Sequence, residues 1–429
     1  MTGSHSNKPN RLRRAFARHQ PLKAQSRAKA FTGLLFKFLA LVLSSAVVIT
    51  GVSAWQIANE LKSHGIQLLD ANGKAIQISA ADIKGPINIL LVGSDTRKGQ
   101  GGGFGSGITS NLADVIILLH ISQDRKNAVA LSFPRDLMVP WPACPSTSGG
   151  SGYLPQSLGQ INATIANGGP GCTLKTVESI TGLKIPFLAM INFSGVIEMS
   201  NAIGGVSVCL TKPINDTYTH TFLPAGEQVL QGRAALQFLR TRHGVGDGSD
   251  LSRISNQQVF LSSLVRKIKS QGVLSNPVYL YTLATAAARN MTLSSTMSDP
   301  NTLIALAGAL KDVSLDKMVF MQLPSISGLP APYQGRVKPN ESLAALIYQK
   351  LQNDEPIVLS KANGGQGAVV QPSPSASPTP SAMSKTGASQ TTGAKPAAFL
   401  APKTGASPSP TPLPDSIIGS HASDKTCSN

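Results

Sequence analysis

Aromatic and charged residues are scarce in this 429-residue chain, at 5% and 14% of the sequence. A nucleic-acid-binding protein needs a basic stripe interleaved with stacking aromatic rings, so this composition argues against that class. The Gly-rich stretch "KGQGGGFGSG", residues 98–107, lacks the Gly-Lys-Ser/Thr ending of a phosphate-binding P-loop. No serine lies in a nucleophile-elbow pattern, and no cysteines have the spacing of zinc ligands. These absences leave nucleic-acid-binding, P-loop, serine-hydrolase and zinc proteins unsupported.

Acidic residues are absent before Glu60, whereas Lys and Arg occur eight times in the first thirty residues. Residues 38–59 carry no charge, and a helix needs roughly 20 apolar residues to cross a bilayer. By the positive-inside rule we predict a basic cytoplasmic tail at 1–37, one transmembrane signal-anchor helix at 38–59, and an extracytoplasmic remainder. A cleaved signal peptide is the alternative, because "VSA" at 52–54 resembles a cleavage site; the long apolar run favours the uncleaved anchor.

Short runs rich in Val, Ile and Leu, such as "INILLVGSD", "DVIILLHIS" and "NAVALSFPRD", follow a mixed stalk at 60–85. Such runs are typical of strands buried on both faces, and they alternate with helical segments. We therefore predict one extracytoplasmic domain at 86–354 with an α/β fold, a central mixed β-sheet flanked by helices. Residues 363–429 are dominated by Pro, Ser, Ala, Thr and Gly, which predicts a disordered tail.

Four cysteines, Cys144, Cys172, Cys209 and Cys427, all lie beyond the predicted span, where disulfides can persist. Three pairings are possible. We favour Cys144 with Cys172, because that bond would close the Pro/Gly/Ser-rich loop between them. Free buried thiols remain the alternative for some of the four.

The stretch "FLRTRHGVGDGSDLSRISNQQ" concentrates polar side chains at the start of a long predicted helix, about Leu251 to Ser270. Asp250, Arg253 and Gln257 fall on one helical face, together with the apolar residues that face the core. A buried arginine needs either a structural carboxylate or a bound anion. Arg240 and Arg242, two apart, would point the same way in an extended segment. Together these arginines suit a phosphate or pyrophosphate, which their planar guanidinium groups bind bidentately.

Acidic and basic side chains also follow the strand-like runs. Asp95 and Arg97 come directly after the first, Asp114 begins the second, and Arg135 and Asp136 follow the third. Ligands commonly bind outside strand ends in α/β sheets. Two carboxylates near phosphate-binding arginines match the way proteins hold Mg²⁺, although each aspartate alone could be a turn residue.

The order of four blocks resembles the LytR-CpsA-Psr family of bacterial cell-envelope glycopolymer phosphotransferases: "NILLVGSDTR", "LADVIILLHIS", "LSFPRDLMV" and "ALQFLRTRHGVGDGSDLSRISNQQVFL". The resemblance is good from about Pro86 to Ser270 and looser to about Asp354. It implies a membrane-anchored enzyme that transfers a glycopolymer from a polyprenyl-pyrophosphate carrier to peptidoglycan as a phosphodiester, releasing polyprenyl phosphate. The lipid would lie in an apolar groove between sheet and helices.

The resemblance also implies roles for single residues. Asp95 and Asp114 would hold Mg²⁺, or Mn²⁺ in its place, against the pyrophosphate. The residues that would bind the phosphates are Arg97, Arg135, Arg240, Arg242, Arg253 and Gln257. The residues that would act in catalysis are Asp114, Asp250 and Arg135, with either aspartate as the proton acceptor. Leu112 departs from the pattern, because many members have an arginine there.

Two other functions use the same arginines. One is a non-catalytic envelope regulator or scaffold that binds polyprenyl phosphates, and the other is a polyprenyl-pyrophosphate hydrolase. A binding protein has no need of the metal-holding aspartates Asp95 and Asp114, whereas the hydrolase differs from the transferase only in its product.

Overall fold

The computed structural model divides the chain into two units, Met1–Gln56 and Ile57–Asn429. In the first unit it describes residues 31–32, 36–41, 44 and 51–52. In the second it describes residues 65–68, 75–76, 78, 83–97, 100, 104, 110–145, 152–270, 283, 286–287, 289–371 and 411–429. Within these residues no helix is long and apolar enough to span a membrane. Most of the predicted span at 38–59, and much of the predicted stalk at 60–85, lies outside the described residues.

A mixed seven-stranded sheet forms the centre of the second unit. Its strand order is β11-β6-β1-β2-β3-β12-β16, with parallel pairing only between β6 and β1 and between β3 and β12. The strands of this sheet are β1 Ile87–Ser94, β2 Ala113–Ile121, β3 Ala128–Phe133, β6 Phe187–Ile191, β11 Met291–Leu293, β12 Met318–Gln322 and β16 Gly419–His421. The predicted α/β fold with a central mixed sheet is confirmed.

Helices cover both faces of this sheet, as period-two alternation requires when a strand is buried on both sides. Leu90 and Val92 of β1 pack on one core, and Ile87 and Ile89 pack on the other. The helices are α1 Thr164–Thr181, α2 Phe193–Ala202, α3 Arg233–Arg240, α4 Asp250–Ser270, α5 Pro300–Asp312 and α6 Glu341–Gln352. Helices α1 and α6 lie over the first core, and α4 and α5 lie over the second.

A second, four-stranded sheet has the order β10-β7-β17-β15. Its strands are β7 Val206–Leu210, β10 Gly226–Leu230, β15 Ala368–Val370 and β17 Thr426–Ser428. Three two-stranded ribbons complete the fold: β4 Met138–Trp141 with β5 Gln156–Gln160, β8 Ile214–Asp216 with β9 Thr221–Leu223, and β13 Ser325–Ile326 with β14 Lys338–Pro339.

The C-terminal region departs from the predicted tail at 363–429. Its described parts are folded, because β15 and β17 belong to the four-stranded sheet and β16 extends the central sheet beside β12. Leu413, Ile417 and Cys427 are buried there, at 2% exposure or less. A Pro/Ser-rich segment with few apolar residues can still form strands when it pairs with the unpaired edge of an existing sheet. Residues 372–410 lie outside the described residues.

Both pairs of cysteines form disulfides, so no cysteine is free. The favoured pair, Cys144–Cys172, is confirmed. The second bond, Cys209–Cys427, joins β7 to β17 and ties the C-terminal strand to the domain.

Candidate active site

A β-bulge places Asp114 at the end of the first strand pair. Gly93 pairs with Val115 and Ser94 pairs with Ala113, so Asp114 is the extra residue on β2. A bulge re-aims a side chain and is frequent beside active sites. Gly93 is required here, because an added Cβ would lie 2.9 Å from the Cβ of Val115.

Asp95 lies at the same end of the sheet. Its backbone N–H donates to the Leu112 carbonyl at 3.0 Å, and its Oδ1 accepts the Leu112 N–H at 2.6 Å. The local loop is therefore held by the backbone of Leu112. Asp95 and Asp114 thus come from adjacent strands, as the sequence predicts.

Arg135 is the centre of an ion-pair network. Its Nη1 lies 2.7 Å from Asp114 Oδ1, and its Nε lies 3.4 Å from Asp250 Oδ1 and 3.5 Å from Asp136 Oδ2. Burial lowers the pKa of the Arg135 guanidinium, but the carboxylates of Asp114, Asp250 and Asp136 outweigh that effect and raise it. Arg135 therefore stays charged and holds three carboxylates in place.

Helix α4 presents Asp250, Arg253 and Gln257 on one buried face, as their spacing predicts. Arg253 is only 4% exposed; its Nη2 lies 2.6 Å from Asp250 Oδ1 and donates to the Asp114 carbonyl at 2.9 Å. Gln257 donates to the Leu239 carbonyl at 3.0 Å, which fixes α4 against α3. The face of α4 thus closes the site opposite the ends of β1 and β2.

Burial raises the pKa of the Asp250 carboxyl, even though Arg253 and Arg135 act in the opposite direction. The Nε atoms of Arg135 and Arg253 are also buried without a hydrogen-bond partner of good geometry. Buried donors left in this state are unusual, and a bound anion would satisfy them. The described side chains thus combine ion pairs with unused donor capacity.

Arg240 and Arg242 complete the cluster from the other side. Arg240 ends α3, and its guanidinium lies 4.3 Å from the ring centroid of Phe193. Burial lowers the pKa of Arg240, and the charges of Arg97 and Arg253 lower it further. Burial likewise lowers the pKa of Arg242, with added effects from the charges of Arg135 and Arg253. Thr241 is extended, but Arg240 is still helical, so the two arginines do not share the extended segment that the sequence predicts.

Arg97 is held from the loop that follows β1, where its Nη1 donates to the Phe104 carbonyl. Phe104 packs on Phe193 with ring centroids 5.6 Å apart, and Arg240 lies over the same Phe193 ring, so Arg97 lies at the edge of this cluster. The structure therefore brings together every arginine and aspartate that the sequence analysis singled out for this site.

An apolar groove with a cavity volume of about 310 Å³ opens onto this cluster. It runs between the central sheet and helices α2, α3 and α4, and its walls include Leu91, Ile191, Val196, Leu236 and Leu264. One end of the groove is polar, formed by Asp114, Arg240, Arg253 and Gln257. A ligand with a long apolar chain and an anionic head would match both parts of this cavity.

Two residues of the site region were missed by sequence reasoning. Asp216, 1% exposed, accepts hydrogen bonds from Thr241 Oγ1 at 2.7 Å and from the Arg242 N–H at 3.2 Å. Burial alone would raise the pKa of Asp216, but these bonds lower it to about 2. Arg336 pairs with Asp136 at 2.7 Å from a distant loop. Neither residue lies in a pattern that could have marked it.

The carboxylates alone supply only some of the ligands that a divalent metal needs. Among the residues that the structure describes, no three His, Cys, Asp or Glu side chains are grouped as metal ligands. Asp95 and Asp114 each use one carboxylate oxygen, for Leu112 and Arg135 respectively, and have a second oxygen to offer. Mg²⁺ is commonly held by one or two carboxylates together with substrate phosphates, so this donor set fits a metal that binds with its substrate.

Comparison with known proteins identifies relatives of this arrangement. The model of the LytR_cpsA_psr family matches residues 53–355. The cell wall biosynthesis protein LcpA of Corynebacterium glutamicum is 28% identical, over 59% of this chain and 53% of LcpA. The chain spans about half the length of the C. glutamicum relatives it matches.

A protein of Bacillus subtilis named polyisoprenyl-teichoic acid–peptidoglycan teichoic acid transferase TagT is 26% identical, over 79% of this chain and 98% of TagT. Among solved structures, a Streptococcus agalactiae protein aligns with a TM-score of 0.53 and 23% identity, over 65% of this chain and 91% of that one. At this identity the structural match supports the fold alone.

Proposed function

Because the chain belongs to the LytR_cpsA_psr family, we propose that it transfers a glycopolymer from a polyprenyl-pyrophosphate carrier to peptidoglycan. The carrying observation is the cluster of arginines at the polar end of an apolar groove, which suits a lipid with a diphosphate head. The name of TagT, which this chain matches over nearly the whole length of TagT, supports the same reaction class.

In this proposal the polyprenyl chain lies in the groove, and its pyrophosphate lies on the arginines. Arg240 and Arg253 line the groove end and would contact the phosphate nearer the lipid. Arg135 and Arg242 do not line the groove and would contact the phosphate that carries the glycan. Phosphoryl transfer depends mainly on positioning and charge stabilisation, which a preorganised arginine cluster supplies.

Asp95 and Asp114 would hold Mg²⁺, or Mn²⁺, with the second oxygens of their carboxylates. The metal, when bound, would neutralise charge on the phosphate oxygens. The bulge at Asp114 and the backbone contact to Asp95 hold these two carboxylates at the same end of the sheet.

The bond changes follow from the product. A hydroxyl oxygen of the acceptor forms a new bond to the phosphorus that carries the glycan. The bond from that phosphorus to the bridging oxygen breaks, and polyprenyl phosphate leaves with the electron pair. Asp250 would take the hydroxyl proton, because burial raises the pKa of its carboxyl and makes it a better proton acceptor than an ordinary aspartate. Arg135 would position it, through the contacts from its Nε and its backbone N–H.

We place this reaction on the outer side of the cell membrane, with the basic tail in the cytoplasm. The composition of residues 1–59 supports that placement. The two disulfides support an oxidising compartment for the domain.

The test uses the full chain in detergent, a synthetic polyprenyl-pyrophosphate disaccharide and a peptidoglycan oligomer. We expect linked product and polyprenyl phosphate with Mg²⁺, and a loss of both in Asp95→Ala. Asp312→Ala, an exposed aspartate at the end of α5, is the matched control and should keep wild-type activity. Release of polyprenyl phosphate without linked product would make the protein a hydrolase, and binding without turnover would make it a regulator or scaffold.

A further inference from the structure

Tyr218 lies exposed at the turn of the β8–β9 hairpin and stacks on His243. Its side chain is 78% exposed, the ring centroids are 4.3 Å apart, and the ring planes differ by 30°. The His243 side chain is itself 50% exposed. A tyrosine held in this way offers a ligand both an apolar ring face and a polar hydroxyl.

The buried carboxylate of Asp216 fixes this pair relative to the phosphate-binding arginines. Its Oδ1 accepts the backbone N–H groups of Tyr218 at 2.9 Å and Thr219 at 3.3 Å. Its Oδ2 accepts Thr241 Oγ1 and the N–H of Arg242. One side chain therefore holds the hairpin turn and the arginine segment together, and the Tyr218 ring lies beside the residue that follows Arg242.

The positions of the arginines along the site indicate which part of a bound substrate would lie near the Tyr218–His243 pair. The groove for the apolar chain is lined by Arg240 and Arg253 but not by Arg242. Arg242 follows Arg240 by two residues and is not among the residues that line the groove, so it lies beyond the polar end of the groove. A substrate that enters the groove by its lipid and crosses the arginines by its diphosphate would emerge toward Arg242 and His243.

We propose that the stacked Tyr218–His243 pair is a glycan subsite, which binds the sugar ring attached to the pyrophosphate of the donor. The inference rests on the proposed function, because it takes the ligand to be a lipid diphosphate that carries a sugar. The apolar C–H face of a pyranose ring packs against an aromatic face, and the rigid support from Asp216 reduces the ordering cost of that contact. The subsite adds a recognition element for the polymer beyond the arginine cluster.

The test compares binding of two probes to the full chain in detergent: a polyprenyl-pyrophosphate disaccharide and the same polyprenyl pyrophosphate without sugar. We expect Tyr218→Ala to weaken binding of the sugar-bearing probe by about tenfold and to leave the sugar-free probe unchanged. Tyr218→Phe should retain binding, because the ring is kept. Phe222→Ala removes another exposed aromatic ring of the same hairpin, 59% exposed, and should behave like the wild type.

Equal affinities of wild type and Tyr218→Ala for the sugar-bearing probe would overturn the proposal. A weaker sugar-free complex in Tyr218→Ala would also overturn it, because the pair would then act on the arginines rather than on the sugar. An effect confined to the KM for the peptidoglycan oligomer would assign the pair to the acceptor instead. The binding experiment needs no turnover, so it separates the subsite from the proposed transfer. If the wild-type protein binds the sugar-bearing probe more tightly than the sugar-free probe but forms no product, the proposed transfer is refuted and the glycan subsite is not.

Discussion

Removal of the Cys209–Cys427 disulfide should destabilise the domain more than removal of Cys144–Cys172. Cys209 and Cys427 are 218 residues apart in sequence, whereas Cys144 and Cys172 are 28 residues apart. In each variant the two cysteines of one disulfide are both replaced by alanine, which avoids a free thiol. Because a cross-link restricts the unfolded chain more when it closes a longer loop, the two pairs form a matched comparison.

The chain-entropy relation gives the magnitudes. A loop closed across 218 residues corresponds to about 5.4 kcal/mol at 25 °C, and one across 28 residues to about 3.6 kcal/mol. Loss of the Cys209–Cys427 bond should also release β17. The backbone carbonyl of Asn429, directly after β17, accepts the Gly246 N–H at 2.8 Å. Gly246 lies in the loop between Arg242 and Asp250, so transfer activity should fall in the same variant.

Urea unfolding of the full chain in detergent, followed by circular dichroism at the helix band, measures both variants against the wild type. We expect the double alanine variant at 209 and 427 to lose about 2 kcal/mol more than that at 144 and 172. An equal loss, or a larger loss for the shorter loop, would refute the reasoning. It would show that local packing at the bonds, rather than restriction of the unfolded chain, determines their contributions.

Two further predictions concern helix α4. Arg253→Ala should lower kcat by about 10²–10³-fold. It should also move the acid limb of the pH–rate profile to higher pH, because burial raises the pKa of Asp250 and the charge of Arg253 lowers it. An acid limb at the wild-type pH would exclude Asp250 as the proton acceptor. Gly367→Ala should cost about 1–3 kcal/mol in urea unfolding, because the added Cβ would collide with the Ser252 carbonyl oxygen in the first turn of α4. Gly308→Ala on α5, where an added Cβ meets nothing, is the control and should be neutral or stabilising; equal values for both glycines would contradict the packing argument.

Much of the fold and the site follows from local pattern. The Val/Ile/Leu-rich runs predict the buried strands β1, β2 and β3, and the helical spacing of Asp250, Arg253 and Gln257 predicts their shared face. Helix α1 ends at Thr181, and Gly182 follows it with φ +70, the left-handed conformation that glycine adopts most readily. Such features depend on neighbours a few residues apart, which a sequence displays directly.

The contacts that position the arginines do not follow from local pattern. Asp216 lies 25 residues before Thr241, on a three-residue strand with no periodic signal, yet its carboxylate holds the Arg242 backbone. Arg336 reaches Asp136 across 200 positions. These pairings depend on how the hairpin and the loop pack in three dimensions, so composition and spacing carry no trace of them.

The C-terminal region shows why composition misled the prediction of its structure. The family match ends at residue 355, but the short stretch "GGQG" at 364–367 packs tightly against the first turns of α4. The small size of Gly365 and Gly367 allows the backbone to approach Ser255 and Ser252, a contact that any side chain would prevent. Glycines that indicate disorder by composition are therefore the residues that permit this close contact. Part of the support for the first turns of α4, which carry Asp250 and Arg253, thus comes from a segment beyond the family match.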